Sequence, residues 1–309
     1  MEKVNVIITG GSGFIGKDLL KKIDLSVFSV SLITRDKQKL IHLEKEGFKV
    51  VEADLSDVAS LKKALAGQSI LLNLAAEVRN IELLEKTNVQ GTINLVEAIV
   101  SCGIQKVIHL SSVGVVGRGY SLASVVVTEK TLATPENEYE RTKKISEEIL
   151  IEAEKQGIFQ LTILRPTNVF GENHPFNALL NLSQHLSSGK IVPYMKNAVV
   201  NYVYVSDVSA TILFFLSDDR KGIYQVGSSM ELYGFLSLMQ RTLRKKAKLF
   251  KVPKLLIILA NKLGLKQFSS VSNGVIYSDE KLRKIFNYPV GIEQGVINTL
   301  NDFENKKRL

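Results

Sequence analysis

The chain has one cysteine, Cys102, no tryptophan and only four histidines among its 309 residues. A single thiol excludes an intramolecular disulfide and fits a reducing compartment, so we expect a cytoplasmic protein. The histidines lack the spacing of metal ligands, so we expect no metal, and His109, in a predicted buried strand, is expected to be a satisfied core residue. No apolar run is long enough to span a bilayer and no N-terminal segment has the order of a signal peptide, so no stable membrane insertion is expected.

Acidic residues are fewer than basic ones, 31 against 40, which gives a net charge of +9. A basic cluster runs from Arg241 to Lys254. Nucleic acid or an anionic membrane would suit it, but we favour a solvated helix and loop face and no nucleic-acid partner. For the apolar stretch from Pro253 to Leu265, we favour a helix packed in the core over a helix lying on a membrane surface.

Strand-like and helix-like stretches alternate through the first half of the chain, and the helical ones include residues 36–46, 58–65, 82–100 and 139–155. Such alternation predicts βαβ units and a parallel sheet with helices on both faces, which is a Rossmann-type, doubly wound α/β fold. We assign residues 1–165, with 203–227 returning, to a dinucleotide-binding domain. Residues 166–202 and 228–309 are predicted to form a smaller, mostly helical substrate-binding unit.

A glycine-rich turn follows the first strand-like stretch, and residues 9–16 read T-G-G-S-G-F-I-G. A strand, a glycine turn and a helix in this order form a dinucleotide-phosphate site. One glycine allows the sharp turn, one lets the backbone approach the pyrophosphate, and one packs the helix against the strand. The N–H groups at the helix start then face the phosphates.

The glycines fit two spacings, G-x-G-x-x-G and, with Thr9, T-G-x-x-G-x-x-G. The second resembles the short-chain dehydrogenase/reductase superfamily. The ending Gly13-Phe14-Ile15-Gly16 is similar to its extended branch, the sugar-nucleotide epimerases, dehydratases and reductases of the NAD-dependent epimerase/dehydratase family. Further matches continue through nearly the whole chain and become loose after residue 228.

A Y-x-x-x-K pair, Tyr139 and Lys143, begins a predicted helix. Positions i and i+4 share a helix face, and a lysine cation there favours the phenolate of a residue type whose ordinary pKa is about 10. Ser112, with Ser111 as the alternative, follows a predicted strand, from which its hydroxyl can orient a substrate oxygen. In the family that these motifs resemble, the tyrosine is the catalytic base, and the lysine also binds the nicotinamide ribose.

The resemblance implies further contacts to the cofactor and the substrate. Asp54 would lie near the adenine amine, the N-L-A-A segment 73–76 would pass the adenosine, Pro166 to Val169 would border the nicotinamide, and Asn168 would face the substrate. The predicted cofactor-binding residues are Gly10, Gly13, Phe14, Ile15, Arg35, Asp54, Leu55, Ala75, Ala76, Tyr139, Lys143, Pro166 and Val169. The predicted substrate-binding residues are Ser111, Ser112 and Asn168.

The end of the second strand bears on the choice of cofactor. An NAD enzyme of this fold usually has an acid there, to bind the ribose hydroxyls. This chain has Thr34 followed by Arg35, and a guanidinium pairs bidentately with a phosphate. We therefore predict a preference for NADP, with NAD as the alternative if Asp36 turns toward the ribose.

Two departures from the family pattern narrow the reaction. Val113 and Gly114 stand where dehydratases carry an acid pair, so elimination of water is disfavoured. Val200 stands where many nucleotide-sugar epimerases have an arginine for the diphosphate. The predicted function is hydride transfer at a hydroxyl or keto carbon of a nucleotide sugar. The alternatives are an NADP-dependent reductase of a hydrophobic ketone, as in steroid-dehydrogenase or dihydroflavonol-reductase relatives, and a non-catalytic, cofactor-holding subunit. A homodimer is the expected assembly.

Overall fold

A computed structural model describes residues 2–117, 119–175, 178–263 and 271–306 of the chain. The strands are β1 Val4–Thr9, β2 Phe28–Thr34, β3 Lys49–Glu52, β4 Ile70–Asn73, β5 Lys106–Leu110, β6 Val125–Val127, β7 Gln160–Pro166, β8 Asn168–Phe170, β9 Val192–Tyr194, β10 Val199–Tyr204, β11 Gly222–Val226, β12 Ser228–Glu231, β13 Leu249–Lys251 and β14 Val275–Tyr277. The helices are α1 Phe14–Leu20, α2 Val58–Leu65, α3 Ile81–Leu84, α4 Gly91–Cys102, α5 Glu138–Glu154, α6 Ala178–Ser187, α7 Val205–Ser217, α8 Leu232–Leu243, α9 Lys254–Lys262, α10 Glu280–Arg283 and α11 Gly291–Lys306.

Seven strands form the central sheet, in the order β11-β7-β5-β4-β1-β2-β3. All pairs from β7 through β3 are parallel. Strands β4 and β5 are buried along their whole length, which explains why they read as continuous apolar runs. Strands β2 and β3 are added on one side of β1, and β4 and the later strands on its other side. The loops that follow β1 and β4 therefore run in opposite directions, and the crevice between such loops is where ligands bind in this type of sheet. The predicted Rossmann-type sheet is confirmed.

Helices α2, α4 and α5 pack on this sheet through leucines that are completely buried, such as Leu61, Leu95 and Leu150. Burying a leucine side chain stabilises a fold by about 1.5–3 kcal/mol relative to leaving it exposed. The apolar faces of these helices therefore fix the positions of the loops that precede and follow them, including the start of α5.

Two of the predicted helices are broken. The stretch 36–46 forms two short 3-10 turns, Lys37–Lys39 and Ile41–Glu46, which end at Gly47 with a φ of 97°. The stretch 82–100 is divided into α3, a π-helical turn over Glu85–Gln90, and α4. Asn88 lies in the π turn, where its side chain is buried and bonded to neighbouring segments. A π turn of this kind often marks a functional site.

The chain divides into two compact units, and three segments predicted for the first unit, 118–131, 203–208 and 225–227, belong to the second. The first unit contains residues 1–117, 132–166 and 209–224, and the second contains 118–131, 167–208 and 225–309. The stretch 203–208 begins with the end of β10, which pairs with β8 of the second unit through Val203 and Tyr204. The segment 118–131 also belongs to the second unit, because β6 pairs with β14.

Besides its helices, the second unit contains three small sheets that the sequence did not predict, β12-β10-β8, β13-β9 and β14-β6. In α9, which the sequence analysis assigned to the core, Ile257 is buried but Leu255 and Leu259 are exposed, so only one face of this helix is packed. Residues 264 and 265 of that predicted stretch lie outside the described residues. Among the helices described, none has the length and apolar character needed to cross a membrane.

Candidate active site

The loops that follow strands β1, β2, β3 and β4 surround a cavity of about 390 Å³. Its lining brings together seven of the predicted cofactor-binding residues: Gly10, Gly13, Arg35, Asp54, Leu55, Ala75 and Ala76. Phe14 and Ile15 form the start of α1, directly after Gly13. The cavity thus lies at the carboxyl ends of the strands, where the sequence analysis expected the adenosine half of a dinucleotide.

At two positions of the turn, close backbone contacts leave no room for a side chain, so only glycine fits. Gly10 has a φ of 72°, and a Cβ atom there would lie 2.7 Å from the backbone N of Ala75. A Cβ on Gly16 would lie 2.5 Å from the carbonyl oxygen of Gly10. The loop after β1 therefore closes against the loop after β4 and against α1. The lack of side chains keeps the cradle beside Gly13 open, and an extended pyrophosphate fits such a cradle.

Two carboxylates in the cavity are held ionised. Asp54 is partly buried, which raises its pKa, but hydrogen bonds from the Ser56 backbone N–H and hydroxyl and the charge of Arg35 outweigh burial and leave that pKa below its ordinary value. The Arg79 N–H lowers the pKa of Glu77, as do two neighbouring N–H groups that also donate to Glu77 Oε1. Asp54 can therefore accept from an adenine amine.

The end of β2 presents a cation rather than an acid. Arg35 is exposed, and within the described part of the chain its guanidinium forms no hydrogen bond or ion pair. Asp36 is occupied, because its Oδ1 accepts from the Gln38 backbone N at 3.1 Å and its Oδ2 lies 3.4 Å from the Lys39 Nζ. The Thr34 hydroxyl donates to the Asp36 carbonyl oxygen at 3.0 Å.

Lys143 is anchored at the carboxyl end of β5. Its Nζ lies 2.8 Å from the carbonyl oxygen of Leu110 and 3.2 Å from Nε2 of His109. Burial lowers the pKa of Lys143 to about 8, against the opposing charge of Glu147. Tyr139 lies one turn earlier on the same helix and is half-buried. The helix therefore presents the two residues side by side along one face.

The two candidate serines differ in their hydrogen bonds. Ser112 Oγ accepts from the Gly114 backbone N at 3.1 Å and caps a 3-10 turn over Val113–Val116, which leaves its own hydrogen for another acceptor. Ser111 is buried, and its Oγ has no hydrogen-bond partner within the described residues. Since Ser112 is half-buried and its hydroxyl is oriented, it is better placed than Ser111 to donate to a ligand.

An acidic group lies beside Gly114 after all, but it comes from Glu140. A Cβ on Gly114 would lie 2.8 Å from Glu140 Cγ and 3.2 Å from Glu140 Oε1. Glu140 is buried, and its Oε2 accepts from the Glu136 backbone N at 2.8 Å. The contact joins the loop that carries Ser112 to the first turn of α5, in which Tyr139 precedes Glu140.

A buried row of polar side chains crosses three strands and ends on Lys143, and the sequence analysis missed it. Thr9 Oγ1 lies 2.6 Å from Asn73 Oδ1, and Asn73 Nδ2 lies 3.1 Å from His109 Nδ1. These residues are register partners, Thr9 with Asn73 and Asn73 with His109. His109 is thus a satisfied core residue, as expected, but it also contacts the lysine. Polar residues at the ends of adjacent predicted strands were the available signal.

Asn88 joins the loop after β4 to helix α5. Its Oδ1 accepts from the Glu77 backbone N at 2.8 Å, and its Nδ2 donates to the Thr142 hydroxyl at 3.1 Å. The Ser146 hydroxyl donates to the Asn88 carbonyl oxygen at 2.6 Å. The loop that lines the cavity and the helix that carries Lys143 are therefore connected through one amide.

The remaining predicted residues lie around the start of β8. Pro166 is buried at the end of β7 in the first unit. In the second unit, Asn168 is exposed and its Nδ2 donates to the Asn201 carbonyl oxygen at 2.9 Å, and Val169 pairs with Val203 of β10. Val200, which stands at the family's arginine position, is half-buried in β10.

Comparison with known proteins places this geometry in context. The sequence profile described as the NAD dependent epimerase/dehydratase family matches residues 6–227. The chain is similar to N-acetyl-alpha-D-glucosaminyl-diphospho-ditrans,octacis-undecaprenol 4-epimerase of Escherichia coli O157:H7, at 31% identity over 238 residues, which are 75% of this chain and 67% of that one. It is also similar to the decarboxylating sterol-4-alpha-carboxylate 3-dehydrogenase of Saccharomyces cerevisiae, at 26% identity over 55% of this chain and 53% of that one. In fold it resembles the UDP-glucose 4-epimerase of Thermus thermophilus, solved with NAD, with a TM-score of 0.70 at 20% identity, covering 97% of this chain and 99% of that one.

Proposed function

Because this chain belongs to the NAD-dependent epimerase/dehydratase family, we propose that it oxidises or reduces a hydroxyl-bearing carbon of a nucleotide sugar. The chain is an enzyme of the extended short-chain dehydrogenase/reductase type, so a non-catalytic, cofactor-holding role is set aside. A bound nicotinamide cofactor would supply the acceptor or donor of the hydride. The chain's own residues bind, orient and exchange the proton.

The observation that supports this reaction is the anchoring of Lys143 at the end of β5, directly before the serine loop, on the helix that also carries Tyr139. Ser112 donates a hydrogen bond to the reacting oxygen, and Tyr139 removes its proton or returns it. Lys143 is fixed by the Leu110 carbonyl oxygen beside the serine loop, and its charge favours the tyrosinate. General acid–base catalysis of this kind contributes about 10²–10⁴-fold to a rate.

The cavity in the first unit fits the adenosine half of the cofactor. Gly10 and Gly13 would admit the pyrophosphate, Asp54 would accept from the adenine amine, and Ala75 and Ala76 would flank the ribose. In the proposed arrangement Tyr139 and Lys143 hold the nicotinamide ribose, and Pro166 and Val169 border the ring.

The substrate class that we propose is a nucleotide sugar, in which a sugar is joined to a nucleoside through a diphosphate. The name of the Escherichia coli relative describes a sugar linked to a diphosphate, which is the part that nucleotide sugars share with it. A hydrophobic ketone is the second candidate. The apolar Val200 in place of a diphosphate-binding arginine and the likeness to the yeast sterol dehydrogenase favour it.

A panel of ligands separates the two candidates. We expect UDP-, dTDP- or GDP-sugars to raise the melting temperature in the presence of cofactor, and at least one of them to be converted, as detected by mass spectrometry. Ligand at 100 times its dissociation constant stabilises a folded protein by about 2.7 kcal/mol, which is easily measured. If no nucleotide sugar shifts the melting temperature while an apolar ketone is reduced, the second candidate replaces the first.

We further propose that the enzyme prefers NADP. Arg35 lines the cavity and forms no hydrogen bond or ion pair among the described residues, whereas the neighbouring acid Asp36 is engaged by Gln38 and Lys39. A 2′-phosphate would give Arg35 a bidentate, charge-assisted partner. NAD has a hydroxyl group in place of the 2′-phosphate and therefore gives the guanidinium no charged partner.

Replacing Arg35 by alanine should weaken NADP binding about 10- to 100-fold, since a hydrogen bond to a charged group contributes about 1.5–3 kcal/mol. NAD affinity should stay the same. Titrating both cofactors by fluorescence measures both effects. Lys37→Ala is the matched control, because Lys37 pairs with Glu44 and does not line the cavity. NAD binding to the wild type as tightly as NADP would contradict the preference.

A further inference from the structure

One face of α9 presents leucines to solvent. Leu255, Leu256 and Leu259 of α9 are 66%, 52% and 47% exposed, and Leu263, which follows the helix and whose N–H donates to the Leu259 carbonyl oxygen, is 77% exposed, while Ile257 on the opposite side is 1% exposed. A helix advances about 100° per residue, so the four leucines form a single stripe about 100° wide. Exposed apolar side chains that occur singly are ordinary, but a continuous stripe marks an interaction surface.

The net charge of the chain is concentrated in the sequence segment that contains this stripe. Between Leu232 and Ser278 the sequence has nine lysines and arginines and no aspartate or glutamate. The whole chain has 40 basic and 31 acidic residues, so the remainder is balanced at 31 of each. The entire net charge of +9 therefore belongs to the segment that contains α9. A surface that combines this charge with exposed leucines is complementary to one that is both anionic and apolar.

Lysines mark both ends of the helix. Lys254 begins α9 and Lys262 ends it, both are exposed, and helical spacing places Lys262 next to Leu255 and Leu259 at the margin of the stripe. Just before the helix, in β13, Phe250 and Lys251 are also exposed. This is the pattern of a helix that lies in the plane of a bilayer surface, with its apolar face among the acyl chains and its lysines at the headgroups.

We propose that α9 docks this enzyme onto the surface of a membrane rich in anionic lipid. With nine residues the helix is far too short to span the bilayer, so the attachment is peripheral. A second copy of the chain would bring two strongly basic segments together, which like-charge repulsion opposes. A nucleic acid would match the charge but would leave the leucine stripe in water. The bilayer surface satisfies both features at once.

Vesicle co-sedimentation tests the proposal without reference to catalysis. The full-length enzyme should pellet with phosphatidylcholine vesicles that contain about 30% phosphatidylglycerol but not with pure phosphatidylcholine, and less so as salt is raised. The double variant Leu255→Ser, Leu259→Ser should lower the partition coefficient at least ~10-fold, since each leucine loses its burial in lipid. The pair Lys254→Gln and Lys262→Gln should lower it by about tenfold or more.

A matched control is available elsewhere on the chain. Ile81 and Leu132 are 71% and 80% exposed and lie outside the basic segment. The double variant Ile81→Ser, Leu132→Ser should pellet like the wild type. Circular dichroism of all variants establishes that they are folded. The proposal is overturned if the leucine variant binds vesicles as well as the wild type does, or if the wild type binds neutral vesicles equally well. It is also overturned if the wild type binds no vesicles and instead forms a dimer, or binds RNA, in a way that depends on the leucines.

Discussion

Turnover should fall by about 10²–10⁴-fold when Tyr139 is replaced by phenylalanine, the range that a positioned acid or base contributes. The change removes one oxygen and leaves the ring, the helix and the anchoring of Lys143 in place. Cofactor affinity should fall by less than about tenfold, because only one hydroxyl contact to the nicotinamide ribose is lost and the cavity that would hold the adenosine is lined by other residues. Steady-state kinetics with the best ligand of the panel and a separate cofactor titration measure the two effects.

The control for this variant is Tyr233→Phe. Tyr233 is half exposed on α8 and its ring packs 5.1 Å from the ring of Tyr194, a contact that phenylalanine preserves. Its kcat should match that of the wild type. Substantial activity in the Tyr139 variant would show that the tyrosine does not transfer the proton, and would contradict the proposed mechanism.

The second large effect concerns stability. Glu147 and Arg165 form a buried ion pair, in which the Arg165 Nε lies 2.9 Å from Glu147 Oε1 and both side chains are almost fully buried. Replacing Glu147 by glutamine preserves the shape but leaves a guanidinium without its counter-charge inside the protein. Breaking a buried pair in this way costs about 3–5 kcal/mol. The free energy of unfolding in urea should fall by that amount.

The adjacent residue provides the comparison. Glu148 forms an exposed ion pair with Lys144, four residues earlier on the same helix. Glu148→Gln makes the same chemical change one position away and should cost less than about 1 kcal/mol, as surface pairs do. If both variants lose the same free energy of unfolding, burial does not determine how much the Glu147–Arg165 pair contributes to stability.

The central sheet was predictable because its strands are buried on both faces and appear as short apolar runs separated by helical patterns. The glycine turn was predictable because backbone contacts at Gly10 and Gly16 leave no room for a side chain. In contrast, the pattern over residues 36–46 is equally consistent with an α-helix and with two 3-10 turns. Here the capping by Asp36 and the left-handed Gly47 decide the outcome locally.

Long-range pairing accounts for most of what the sequence analysis missed. Strand β6 has only three residues, and its partner β14 lies in the distant C-terminal part of the chain, so no local pattern connects them. The carboxyl beside Gly114 was missed for a related reason. The motif has Gly114 at a position where the family's dehydratases carry an acid, and only the fold shows that the carboxyl group of Glu140, from the next motif, lies beside this glycine.

The row of hydrogen bonds that ends on Lys143 has a direction. Thr9 Oγ1 accepts from the Ala75 N–H, so its own hydrogen is donated to Asn73 Oδ1. The amide group of Asn73 then donates to Nδ1 of His109. Burial lowers the pKa of His109 well below its ordinary value, so the imidazole is neutral and its one proton lies on Nε2, facing the lysine.

A neutral amine can accept that hydrogen, whereas an ammonium group cannot. The direction of the row therefore acts in the same sense as burial, which lowers the pKa of Lys143 to about 8. Lys143 is fully protonated well below pH 8 and loses its positive charge as the pH rises through that value. The proton on this lysine is thus coupled, through His109, to a row of buried side chains that extends over three strands of the sheet.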